Sequence, residues 1–141
     1  MAVTSEATTL WVGDLTSGAG TTTLDSSKVA AFPVSWAARA QGVGGMTNPE
    51  ELLGAAHSAC FSMALANALA TFGTPPGNLQ VTAAVTFDPA EGVTGSHLLV
   101  SAQVHGISEE DFERIAAEAK ANCPVSRALA GIPITLEANL A

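Results

Sequence analysis

Residues 48–73, NPEELLGAAHSACFSMALANALATFG, constrain this chain more than any other stretch. Asn48 is a good N-cap, Pro49 suits the first helical position, and Glu51 stands three residues after the cap, where it completes a capping box. Gly73 offers a C′ residue, and Pro75-Pro76 prevents continuation. Between Leu52 and Phe72 there is no Asp, Glu, Lys or Arg, so a helix with 21 uncharged residues is predicted. Its length alone would let it span a bilayer. His57, Ser58, Asn67 and Thr71, a body richer in Ala than Leu, and acidic rather than basic flanks all argue against that. A helix that is apolar on nearly every side is otherwise surrounded by protein. A chain of 141 residues can barely surround one helix alone, so a second copy is the expected cover and a homodimer is expected.

Composition narrows the function classes. The length predicts one domain over residues 1–141, and 48% hydrophobic against 13% charged residues supply an ample core. Net charge is −8, with only Lys28, Arg39, Arg114, Lys120 and Arg127 basic. Nucleic-acid binding needs a basic footprint, which is missing, and an anionic membrane surface is disfavoured for the same reason. The N-terminus MAVTSEATTL lacks a basic segment followed by an apolar run, so a cytoplasmic protein is expected. The only cysteines are Cys60 and Cys123, too few for a Cys-only zinc site, and neither a metal nor a cofactor is expected.

The remaining chain reads in order. Residues 7–13 and 19–24 are Thr-rich strands, with Asp14 and Ser17-Gly18 in the turn between them. Phe32 to Arg39 alternates and predicts a third strand. After the central helix, Leu79 to Phe87 alternates cleanly. Asp88 to Gly95 reads as a turn, and Leu98 to Val104 repeats the alternation, with His97 and His105 near its ends facing solvent. Ser108 caps a second helix whose apolar stripe is Phe112, Ile115, Ala116 and Ala119. A short helix follows Cys123-Pro124 and stops at Gly131. The alternation from Ile132 to Leu140 closes the chain as a strand. The order βββ-α-ββ-αα-β predicts an α+β fold with antiparallel sheets packed around a long central apolar helix.

Two cysteines in opposite settings are the candidates for chemistry. Cys123 stands at a helix N-terminus, where free N–H groups favour a thiolate. Cys60 lies mid-helix in apolar surroundings, where burial raises a thiol pKa, so it needs a cation to become nucleophilic. Arg39 is the best candidate, and a buried Arg would in turn want a carboxylate, for which Glu50 and Glu51 are near in sequence. Glu50 precedes Cys60 by ten residues, about 15 Å along a helix axis. Two central helices related by a two-fold could bring Glu50 of one chain towards Cys60 of the other. His57, one turn before Cys60, could serve as a base for the thiol, but a packing or dimer-contact histidine is the simpler reading. Trp11 and Trp36 read most simply as strand-face packing.

The stretch TNPEELLGAAHSACFSMAL together with AKANCPVSRAL closely resembles the OsmC/Ohr family of thiol peroxidases. LWVGDLTSGAGT and SWAARAQG resemble the OsmC branch more than the organic hydroperoxide resistance branch. The resemblance implies an OsmC-like intertwined homodimer that reduces organic hydroperoxides to alcohols in defence against oxidative stress. By position, it implies Cys60 as peroxidatic thiolate, Cys123 as resolving thiol, Arg39 as the cation that lowers the Cys60 pKa, and Glu50 as the carboxylate that orients Arg39. Glu51 is left as the capping-box residue. A dithiol must then reduce the Cys60–Cys123 disulfide, and the resemblance implies dihydrolipoamide or a lipoylated protein. A thiol redox sensor and an apolar small-ligand binding protein are the competing readings. A sensor needs an output surface, and a binder would keep its thiols in the presence of peroxide.

Overall fold

In the computed structural model, which describes residues 1–141, the Thr-rich N-terminus forms the hairpin its alternation predicts. Strand β1 (Ala7–Val12) pairs antiparallel with β2 (Ala19–Leu24). Asp14 builds the turn, its Oδ1 accepting the Ser17 backbone N–H at 2.7 Å and the Ser17 hydroxyl at 2.8 Å. Strand β3 (Ala31–Val34) adds to β2 antiparallel, giving a sheet of order β1-β2-β3.

The strand expected to run on to Arg39 ends at Val34. Ser35 is an N-cap, its hydroxyl oxygen accepting the Ala38 N–H at 3.1 Å, and it starts helix α1 (Trp36–Ala40). A good cap followed by three alanines outweighs a short alternation, because Ala has no side-chain entropy to lose in a helix. Arg39 therefore projects from the last turn of a helix, not from a strand.

Helix α2 (Pro49–Phe72) is the predicted central helix. Asn48 caps it, accepting the Glu51 N–H at 2.8 Å. The Glu51 carboxylate takes the Thr47 hydroxyl at 2.7 Å, so Glu51 turns one residue short of the Asn48 N–H that a full capping box would use. At the other end Gly73 has φ +100°, and the N–H groups of Gly73 and Thr74 return to the carbonyls of Ala70 and Leu69. That is a Schellman closure, and it needs the left-handed freedom of glycine.

The chain divides into two compact units, Met1–Leu52 and Leu53–Ala141. In the second, β4 (Asn78–Asp88) and β5 (Gly92–Gln103) form a long antiparallel hairpin. Its turn is tighter than expected. Asp88 Oδ1 accepts the N–H groups of Ala90 and Glu91, and β5 begins at Gly92. Helices α3 (Glu109–Asn122) and α4 (Pro124–Ala128) follow, then β6 (Ile134–Leu140). Strand β6 pairs parallel with β5, which corrects the expectation of purely antiparallel sheets. The helix pair between the two strands is a crossover that carries the chain back to the end where β5 began, so β6 must run the same way.

The core of this unit joins Phe61, Leu65 and Leu69 of α2 to Leu98, Val100 and Ala102 of β5 and to the predicted stripe of α3. Each large side chain buried there contributes about 1.5–3 kcal/mol. Along α2, Gly54, His57, Phe61, Leu65 and Leu69 are buried, whereas Ala55, Ala59, Met63 and Ala70 are exposed. The helix expected to be surrounded is thus covered on one side within this chain. Its close approach to β4 depends on Gly54, where a Cβ would lie 2.8 Å from the Ala83 carbonyl oxygen. The observed order is the predicted one with α1 inserted, an α+β fold of two three-stranded sheets and a central helix.

Candidate active site

Both cysteines are free thiols in the second unit. Cys60, expected in the apolar core, is half-buried on α2. Cys123 is fully buried at the junction of α3 and α4, where it is the N-cap of α4. The two thiols lie near enough for each to influence the other's ionisation. Burial pushes the Cys60 thiol up; the Val125 N–H partly offsets this, and Cys123 raises it further. Burial also opposes ionisation of Cys123, but the Ser126 N–H, the Cys60 thiol, the Ser126 hydroxyl and the Val125 N–H together hold it below the ordinary thiol value.

His57, one turn before Cys60 on α2, is completely buried. Its Nδ1 is 2.7 Å from Ser96 Oγ of β5, and its Nε2 is 2.8 Å from Ser126 Oγ of α4. Burial lowers the imidazole pKa, so the ring is neutral. Both serines are buried, and sequence reasoning missed them. Ser96 did carry a signal, because it shares the inward phase of Leu98, Val100 and Ala102 on β5. A hydroxyl on an inward face needs a partner.

Arg39 and Glu50 lie in the first unit. Arg39 Nε donates to both Glu50 carboxylate oxygens, at 3.1 and 3.2 Å, and Nη2 donates to Oε1 at 2.7 Å. Glu50 is only 5% exposed, so its charge depends on this partner. The guanidinium borders an apolar cavity of about 350 Å³ lined by Trp11, Leu15, Trp36 and Leu52 among others. The two tryptophans are thus cavity wall, and Trp36 stands on a helix instead of a strand face. The four expected site residues form two assembled pairs, Arg39–Glu50 in one unit and Cys60–Cys123 in the other. No three His, Cys, Asp or Glu side chains converge in a metal-binding arrangement.

Comparison with known proteins adds the family. The OsmC-like protein family model matches residues 42–137. The chain is 41% identical over 133 residues to Peroxiredoxin OsmC of Escherichia coli (strain K12), covering 92% of each chain. It is 37% identical over 94 residues to the organic hydroperoxide resistance protein OhrA of Bacillus subtilis (strain 168), covering 64% of this chain and 66% of that one. In three dimensions it resembles the organic hydroperoxide resistance protein OhrB of Bacillus subtilis, with a TM-score of 0.72 and 24% identity over 97% of this chain and 98% of that one. By the extent of the family match and its identity to a full-length relative, the chain belongs to the OsmC-like family.

Proposed function

We propose that this chain is a thiol peroxidase that reduces organic hydroperoxides to alcohols and so defends against oxidative stress. The observation that carries the reading is a pair of free thiols, one half-exposed and one buried, near enough for each to influence the other's ionisation. The Cys60 thiolate attacks the distal peroxide oxygen, the O–O bond breaks, and the alkoxide leaves as alcohol after taking up a proton. Cys60 becomes a sulfenic acid, and Cys123 condenses with it to a disulfide, releasing water and protecting Cys60 from further oxidation. Arg39, held by Glu50, is the cation that lowers the Cys60 pKa and donates to the departing oxygen. The bidentate ion pair beside an apolar cavity supports that role and favours bulky apolar hydroperoxides over hydrogen peroxide. A dithiol such as dihydrolipoamide or a lipoylated protein returns the enzyme to its reduced form by exchange, in a reducing cytoplasm.

In this reading residues 1–141 act as one functional domain, and the working form is a homodimer. The uncovered small-residue face of α2 and the exposed Leu10 and Val12 of β1 support that assembly. The test is thiol counting on the reduced protein before and after stoichiometric cumene hydroperoxide, repeated on Cys60→Ser and Cys123→Ser. The expected result is loss of both thiols in the parent and no rapid loss in Cys60→Ser. Survival of both thiols in the parent would overturn the proposal.

A further inference from the structure

The peroxidase reading uses none of His57, Ser96 and Ser126, yet all three are buried and bonded side chain to side chain. His57 Nε2 on α2 lies 2.8 Å from Ser126 Oγ on α4, and its Nδ1 lies 2.7 Å from Ser96 Oγ on β5. A neutral imidazole has one donor and one acceptor nitrogen, and a serine hydroxyl can serve as either. Both bonds are therefore made whichever nitrogen carries the proton. Breaking either one would strand a buried polar group, so the ring fixes the elements that meet on it.

Position along the two helices gives the His57–Ser126 bond its meaning. His57 stands three residues before Cys60 on α2, and Ser126 stands three residues after Cys123 at the start of α4. Three residues are about 4.5 Å of helix rise. The His57–Ser126 bond and the cysteine pair therefore join the same two segments, about one turn apart on each. Cys60 packs against the core cluster to which Cys123 belongs. The Cys123 backbone is fixed too: its N–H donates to the Ala119 carbonyl at 2.8 Å, and its carbonyl accepts the Arg127 N–H at 3.0 Å. Seating Ser126 thus seats Cys123, with no contact needed between hydroxyl and sulfur. Helix α4 has only five residues, too few to be stable alone, so it keeps its place through such contacts. Resting on the peroxidase reading, we infer that His57 and Ser126 are positioning residues. Their bond is a clamp that holds the resolving-cysteine segment on α2 while both thiols are reduced, so the disulfide closes without a search.

Clamp and disulfide remove the same freedom of α4 relative to α2, so each lowers the entropy cost of forming the other. Without the clamp, the effective concentration of one thiol at the other falls. One buried hydrogen bond changes such an equilibrium by up to about tenfold. Ser96 holds the other side of the ring from β5, a strand that carries neither cysteine.

The test places the protein in a dithiothreitol redox buffer and counts free thiols after quenching. Each dithiothreitol gives two electrons and two protons to the Cys60–Cys123 disulfide and closes to its own cyclic disulfide. In Ser126→Ala and His57→Leu the disulfide should be reduced about tenfold more readily than in the parent, or about 30 mV for a two-electron couple. Ser96→Ala takes a bond of similar length from the same ring but spares the clamp, so it should stay within about threefold of the parent. In a single turnover with cumene hydroperoxide, Ser126→Ala should close the disulfide about tenfold more slowly. With peroxide in excess it should accumulate Cys60 sulfinic acid. An unchanged equilibrium in Ser126→Ala, or an equal shift in Ser96→Ala, would overturn the inference, and His57→Leu decides the matter if Ser126→Ala does not fold. If the buffer shifts are as expected but peroxide leaves the parent's thiols untouched, the peroxidase reading falls and the clamp stands.

Discussion

Cys60 has a thiol that burial makes less acidic, and the neighbouring Cys123 thiol raises it further. A peroxidatic role therefore depends on a cation, and Arg39 is the proposed source. Arg39→Met should lower kcat/KM for cumene hydroperoxide by about 10²-fold or more and move its pH profile to the alkaline side. Arg39→Lys should not restore it, because an ammonium cannot make the bidentate bond to Glu50. Arg39→Met also strands the buried Glu50 carboxylate, at about 1–3 kcal/mol of stability. Adding Glu50→Gln should recover much of that stability without recovering activity, and full activity in the double variant would refute the role of Arg39. His57 gives a second prediction at this scale. Its imidazole pKa lies below the ordinary 6.5 because it is buried, so as pH falls the unfolded chain takes up the proton first. The contribution of His57 to stability is complete above about pH 6.5 and is lost as pH falls through its lower folded value. Urea unfolding at neutral and mildly acidic pH should show this loss in the parent and a flatter dependence in His57→Gln. Asp14 and Asp111, with values below the ordinary 3.8, respond only at lower pH. An equal pH dependence in parent and variant would count against a neutral buried ring.

Helix α2 and strand β4 meet where Gly54 faces the Ala83 carbonyl, and two effects compete there. Alanine is the better helix former by about 1 kcal/mol. Its Cβ, however, would sit 2.8 Å from a backbone oxygen that cannot rotate away. Overpacking against fixed backbone costs about 1–3 kcal/mol, so Gly54→Ala should destabilise the fold despite its helix propensity. A urea midpoint at or above that of the parent would show the crossing to be looser. Elements whose residues all point the same way were legible from sequence. The caps of α2 lie at Asn48 and Gly73, and α3 buries Phe112, Ile115, Ala116 and Ala119 behind a Ser108 cap. Alternation misled at α1, because a five-residue helix offers too short a period to outvote a strand pattern, and only Ser35 marked its start. The direction of β6 was not legible, since alternation is the same for parallel and antiparallel strands and only the crossover decides it. The site divides in the same way. Its cysteines and ion pair carry sequence signals, whereas the Ser96–His57–Ser126 chain exists only because three distant segments are folded against each other.

At the scale of the whole molecule, apolar surface remains that this chain does not cover. Met63 on α2 is 73% exposed, and it lies among the alanines of a face that carries no charge. Strand β1 is exposed along its whole length, although it carries Leu10, Trp11 and Val12. Such a helix is long and apolar enough to cross a membrane, but its opposite stripe is committed to the core with β5 and α3. A bilayer would have to replace that packing, whereas a second copy of the chain, as proposed, would cover the open face and leave the core intact. Small residues on the open face let two helices approach closely, and a charge placed there would have to be buried unpaired. Light scattering coupled to size exclusion should therefore give a dimer mass for the parent and a monomer mass for Met63→Glu. The monomer should unfold at lower urea, because stability in a dimer includes the association term. If the proposed activity needs two chains, Met63→Glu should lose it in step with dimer mass as protein concentration falls. A parent that is monomeric at micromolar concentration, with peroxidase activity proportional to its concentration, would show that one chain suffices and that the uncovered face serves something else.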